Sequence, residues 1–137
     1  VACAAALATI AYIEEHNLAK HARELGTYAV KRMKAMKEKY PLIGDVRGLG
    51  LLMGMELVRD QTTRERATGE AEAVMYSALS KGLSFKTTMG NILTLTPPLT
   101  ITRAEMAQAL DILEQSLNEV QHNFNDDSIA KKEQNGD

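Results

Sequence analysis

The stretch from Ile43 to Val58, IGDVRGLGLLMGMELV, limits what this chain can fold into more than any other segment. Gly44, Gly48, Gly50 and Gly54 punctuate a run of branched and apolar residues. Glycine weakens helices and opens backbone angles closed to other residues. The pattern therefore predicts a short strand over Ile43 to Arg47, a tight glycine corner over Gly48 to Gly50, and a longer buried strand over Leu51 to Val58. Long amphipathic segments lie on both sides, and they are read as helices that cover this sheet.

Val1 to Glu15 is alanine-rich, with Leu7, Ile10, Ala11 and Ile13 apolar on more than one side. A helix of that kind is normally covered by protein over most of its surface, and an isolated domain of 137 residues is expected to leave it bare. The uncapped start at Val1 reads as a cut inside a longer protein. Asn17 is placed to cap a second helix running to about Tyr40. Leu18, Ala22, Leu25, Ala29, Met33, Met36 and Tyr40 form one apolar stripe with spacings of three and four, and Pro41 ends it.

Arg59 to Thr68 is polar and reads as a loop. A third helix is predicted over Gly69 to Lys81, with Ala71, Val74, Met75, Ala78 and Leu79 inward, and Gly82 in the place of a left-handed C-terminal cap. Leu83 to Thr87 and Ile92 to Thr96 read as paired strands around a turn at Thr88 to Asn91. Pro97 and Pro98 stop the ladder, because neither can donate a backbone hydrogen bond. Thr102 and Glu105 make a capping box for a last helix whose buried face is Met106, Ala109, Leu110, Leu113, Leu117 and Val120. From His122 onward the chain is polar and aperiodic and is expected to be a flexible tail. Helices followed by strand pairs around a helix indicate an α+β fold, with a small, mostly antiparallel sheet covered by helices on one face.

Composition narrows the function classes. A formal net charge of -2 gives no electrostatic reason to expect nucleic acid or an anionic membrane as partner, and no apolar run approaches a membrane span. Cys3 is the single cysteine, so an internal disulfide is excluded and a reducing, cytoplasmic setting is the default expectation.

Each chemistry-bearing residue has a bland reading beside the sharp one. Gly48, Gly50 and Gly54 resemble a dinucleotide loop, but that loop needs a helix directly after its glycines, and here a strand follows. His16 and His21 are five apart and do not share a helix face as paired ligands would, while His122 stands alone, so surface histidines are favoured over a metal site. Cys3 is read as a small buried residue rather than a nucleophile. Asp45 and Arg47 lie on one strand face and form either an ion pair or part of a ligand clamp, the ion pair being favoured. Lys86 is read as a solvated strand-end lysine. The residues by themselves make no self-sufficient catalytic, cofactor-binding or metal constellation.

Three ordered segments carry a resemblance: VACAAALATIAYIEEHNLAKHARELG, then PLIGDVRGLGLLMGMELV, then GNILTLTPPLTIT with its capped helix. Together, over about Val1 to Val120, they resemble the C-terminal part of the class III aminotransferases. These are pyridoxal-phosphate enzymes of the aspartate-aminotransferase fold, and they include 4-aminobutyrate, ornithine and other ω-amino-acid transaminases. The resemblance implies an aminotransferase C-terminal domain over residues 1–121, with residues 1–15 belonging to a connecting helix. It also implies a larger preceding domain holding pyridoxal phosphate on a Schiff-base lysine, so no lysine here takes that role and the piece alone is expected to be silent. Small-molecule amines and keto acids are the implied substrates, and a homodimer the implied assembly. The family commonly presents an arginine in the strand before its Pro-Pro-Leu element to grip a substrate carboxylate. The matching position holds Thr94, the expected substrate-binding residue, whose hydroxyl cannot replace a guanidinium fork. Arg47 is a conceivable substitute. A related pyridoxal-phosphate lyase or decarboxylase, or a free-standing α+β binding module, remains the alternative.

Overall fold

The computed structural model describes the backbone of residues 1–134 and the side chains of residues 1–124. Its elements run α1 (Ala2–Glu15), α2 (Leu18–Lys39), β1 (Ile43–Leu49), β2 (Leu52–Leu57), α3 (Thr68–Ser80), β3 (Lys86–Thr88), β4 (Ile92–Leu95) and α4 (Arg103–Gln134). The four strands form one antiparallel sheet in the order β1-β2-β4-β3. This is the α+β arrangement expected from the sequence.

The glycine stretch is two paired strands around a corner, as predicted, but the corner lies at Gly50 and Leu51 rather than over Gly48 to Gly50, because Gly48 and Leu49 pair with Met53 and Leu52. Gly50 has φ of +56°, a left-handed angle that costs a residue with a Cβ. Side chains alternate across the pleat. Val46, Met53, Met55, Leu57 and Leu93 are buried beneath the helices, while Arg47, Glu56 and Thr94 lie on the other, more open face. Helices α2 and α3 rest on the buried face, and α4 packs against both. The apolar stripe of α2 enters the core as expected, with Ala29, Met33 and Met36 at most 2% exposed. From α4 come Met106, Leu110, Leu113, Leu117 and Val120. Each large side chain so buried contributes roughly 1.5–3 kcal/mol.

The local stop and start signals also operate as read. Leu83 N–H donates to the Ala78 carbonyl (2.9 Å) and Gly82 N–H to the Leu79 carbonyl (3.0 Å), with Gly82 at φ of +92°. That is the Schellman closure of α3. At α4, the Thr102 N–H and hydroxyl both reach Glu105 Oε2 (2.8 and 2.7 Å), and Glu105 N–H donates to Thr102 Oγ1 (3.2 Å). These bonds hold the Glu105 carboxyl below its ordinary range, the backbone bond from Thr102 first among the causes.

Four further details differ from expectation. Asn17 sits at the N-cap of α2 but has φ of +50° and makes no side-chain cap bond. Only His16 and Asn17 separate α1 from α2, and the left-handed corner they need removes the extended backbone that side-chain capping uses. Cys3 is exposed rather than buried, because α1 has no buried residue at all; its Leu7 and Ile10 are 69% and 53% exposed. Strand β3 is shorter than predicted, since Leu83 and Phe85 turn to pack against the core instead of pairing. Helix α4 runs on to Gln134, into the stretch from His122 expected to be a flexible tail, with no proline or glycine to stop it. Among the residues with described side chains, its buried face ends at Val120. Residues 135–137 of the predicted tail lie outside the described residues.

One contact fixes how α2 lies on the sheet. Gly26, in the middle of α2, faces the Gly50 backbone, and an added Cβ there would overlap the Gly50 carbonyl. No side chain can yield, because the obstacle is backbone. Gly26→Ala is expected to cost about 2 kcal/mol or more, although alanine is intrinsically the better helix former. Urea unfolding checks the sign, and an unchanged or raised midpoint would refute this account of the helix–hairpin contact.

Candidate functional site

The open face of the sheet carries its chemistry in rows set by the strand register. One row crosses from edge to edge: Arg47 opposite Gly54, Gly54 opposite Thr94, and Thr94 opposite Lys86. Thr94 Oγ1 lies 2.6 Å from Thr88 Oγ1, a diagonal hydroxyl pair on the same face. Lys86 is exposed and makes no ion pair among the described residues, in keeping with its reading as a solvated lysine.

At the other end of the row the charges are closed on themselves. Arg47 Nη1 donates to Asp45 Oδ2 at 2.7 Å and Glu56 Oε2 at 3.2 Å, and Arg64 Nη2 lies 3.5 Å from the same Glu56 oxygen. The Arg64 Nη1 group also donates to the Gly44 carbonyl at 3.0 Å. Two guanidinium groups thus meet two carboxylates. The ion-pair reading of Asp45 and Arg47 is the one the geometry realises, and it leaves Arg47 a poor stand-in for a freely offered substrate arginine. The Arg47 guanidinium, by its hydrogen bond, holds the Asp45 carboxyl below the ordinary aspartate range.

Behind the row, on the helix side of the sheet, lies a cleft of about 500 Å³. Its walls include Met53, Phe85, Leu95, Pro97, Met106 and Leu110, so it is chiefly apolar. Thr94 contributes to the rim, but its hydroxyl belongs to the opposite face with Thr88. Lys86, Thr94 and Thr96 also stand at its edge, so the polar side chains of the β3–β4 row border both the open face and this cleft.

The remaining candidates fall into structural roles. His21 is not a plain surface histidine, since its Nε2 lies 2.8 Å from the Ile101 carbonyl and ties α2 to the loop before α4. His16 and His122 each bond a carbonyl one turn back on their own helices. No group of three or more potential metal ligands occurs among the described residues, and no helix among them is long and apolar enough to cross a membrane. Sequence reasoning missed Glu70, which is 4% exposed and takes a 2.7 Å bond from Arg59 Nε. It also missed Asn91, whose side-chain amide donates to the Leu57 carbonyl at 2.9 Å and pins the β3–β4 turn to the end of β2. Neither had a signal in spacing alone.

The sequence and the fold match known enzymes. The family profile described as "Aminotransferase class-III" matches residues 1–117, and the chain belongs to that family. It is 47% identical to the (R)-1-hydroxy-2-aminoethylphosphonate ammonia-lyase of Vibrio splendidus over 90% of this chain and 26% of that protein. It is also 47% identical to the leucine/methionine racemase of Thermococcus litoralis, over 96% of this chain and 30% of the relative. The solved amine transaminase from an uncultivated Pseudomonas species, in its pyridoxal-phosphate-bound form, superposes with a TM-score of 0.81 at 33% identity. That match covers 87% of this chain and 27% of the other. The chain thus spans under a third of the length of each of these relatives.

The family uses pyridoxal phosphate, and the described residues do not themselves build a site for it. The cleft is lined by no aspartate that could face a pyridine nitrogen. Its one lysine, Lys86, is exposed rather than desolvated as a Schiff-base lysine would be.

The charge network makes its own prediction. Arg47→Met should raise the Asp45 pKa toward the ordinary aspartate range, since the Arg47 hydrogen bond is the largest cause of its depression. Because the folded-state value is depressed, the wild-type pair contributes stability above the unfolded pKa and loses it as pH falls through the folded one. A carboxyl titration followed by NMR checks this, and an Asp45 curve unmoved by the substitution would contradict it.

Proposed function

We propose that this chain is the substrate-covering C-terminal part of a longer pyridoxal-phosphate enzyme. The enzyme moves an amino group from an amine or ω-amino acid to a keto acid. Its other parts hold the cofactor, and this chain by itself is inactive. Small-molecule amines and keto acids are its partners, and the full-length enzyme works as a homodimer.

The family match over residues 1–117 carries this reading, and Thr94 narrows the substrate. That threonine stands in β4 just before Pro97 and Pro98, on the open sheet face, at the position where the family resemblance leads one to look for an arginine. A hydroxyl accepts or donates single hydrogen bonds and cannot form the bidentate carboxylate grip. The substrate that meets this wall is therefore one whose recognition does not depend on such a grip.

A second reading has its own support. The 47% identity to an ammonia-lyase supports elimination of ammonia from the amino substrate in place of its transfer, and the equal identity to a racemase supports inversion on the same footing. These readings share the same wall and differ in the fate of the nitrogen.

One assay series on the full-length enzyme separates them. Amine donors are supplied with and without a keto acid. Transfer requires the acceptor, whereas elimination releases ammonia without it, and a racemase would only invert the donor. In the same series, Thr94→Arg is expected to raise kcat/KM at least severalfold for carboxylate-bearing donors, in line with a new charge-assisted bond. No change in donor preference would mean that Thr94 does not meet substrate.

A further inference from the structure

The row Arg47–Gly54–Thr94–Lys86 has an asymmetry that no sequence motif records. Its β1 end is electrically closed, because Arg47 and Arg64 are balanced by Asp45 and Glu56. At its β3 end, Lys86 has no acidic partner among the described residues. Between them lies a gap. Gly54 presents bare backbone, and a Cβ built there would meet only the Ile92 side chain, at 3.5 Å, an ordinary contact. Beside the gap stands the Thr88–Thr94 hydroxyl pair. One hydroxyl donates to the other, which leaves the accepting hydroxyl its own proton to give.

We propose that this row is an oxyanion subsite for the phosphonate or phosphate group of an amino substrate, with Lys86 as charged anchor, the Thr88–Thr94 pair as neutral donor and Gly54 as floor. It rests on the reading of this face as the substrate wall. The kinds of donor in the row favour one class of anion. A carboxylate is matched by the planar fork of a free guanidinium, and the guanidinium at hand is engaged by two carboxylates. An ammonium with three donors and a free hydroxyl proton, carried in one register row beside bare backbone at Gly54, suit a tetrahedral group with three oxygens. The site carries the single positive charge of Lys86 over an otherwise balanced face, which favours an anion over a neutral or cationic group.

The test uses the full-length protein and calorimetric binding of three probes: 2-aminoethylphosphonate, β-alanine and propylamine. Lys86→Met should weaken 2-aminoethylphosphonate about tenfold or more, the loss of one charge-assisted bond. Lys86→Arg should recover part of that loss. Gly54→Leu, which fills the floor where the structure has room for it, should weaken the same probe. Propylamine, which lacks the anion, should be unaffected by all three substitutions. Failure of the wild type to bind 2-aminoethylphosphonate, an unchanged affinity in Lys86→Met, or an equal loss for propylamine would each overturn the subsite. An equal loss for β-alanine would overturn its assignment to phosphonate or phosphate. If Lys86-dependent binding holds while no amine is turned over, the subsite stands and the reading under Proposed function falls. If amines are turned over without Lys86 dependence, the reverse follows.

Discussion

The arrangement of this domain depends on one backbone-to-backbone approach, that of Gly26 to the turn at Gly50. Helix α2 supplies the largest apolar stripe covering the β1–β2 hairpin, and it can reach the hairpin only where neither surface carries a side chain. The contact couples two unusual choices: a glycine in a helix interior, which weakens the helix by up to about 1 kcal/mol, and a left-handed glycine at a hairpin corner. Each is unfavourable or undirected alone. Together they set the depth at which Ala29, Met33 and Met36 meet Val46 and Met53, and so the seating of the core. Tight packing makes such a contact unforgiving, because interiors have few voids into which backbone could retreat.

From that seating follows the division of the sheet into two faces. With one face filled by helices, every alternate residue of the four strands is turned outward. Those outward residues include the polar Arg47, Glu56, Thr94 and Lys86 beside the apolar Leu49, Leu52 and Ile92. The antiparallel register then sorts them into rows. A slip of one residue would exchange the faces of a whole strand, burying Thr94 and exposing Leu93. The buried Asn91 guards against that slip: its side chain and its carbonyl both bond the end of β2, pinning β4 to its partner. The polar face is thus a consequence of core packing, and its chemistry can vary without disturbing the fold.

Much of the fold was legible in the sequence wherever a signal is local. The α2 stripe, the Gly82 closure of α3 and the Thr102–Glu105 box depend on residues within a few positions of each other, and each operates as read. Asn17 and Cys3 were misread for a common reason. Their surroundings are set by where α1 points relative to the rest of the chain, which no local pattern encodes. Thr94 could be singled out because the Pro-Pro-Leu element that follows it anchors a resemblance. Its relation to Lys86, Thr88 and Gly54 could not, since those neighbours are brought together by strand pairing across 6 to 40 positions.

By itself, then, the sequence determined the kinds of element, their order and the family to which the chain belongs, because propensity and periodicity act over one or two turns of chain. The tertiary structure alone decided which of the polar residues stand together. It closed Arg47 into an ion pair with Asp45 and Glu56, left Lys86 without one, and opened a bare floor at Gly54 between them. The physical reason is that a strand's side chains acquire neighbours only through register, and register is fixed by the packing of the opposite face.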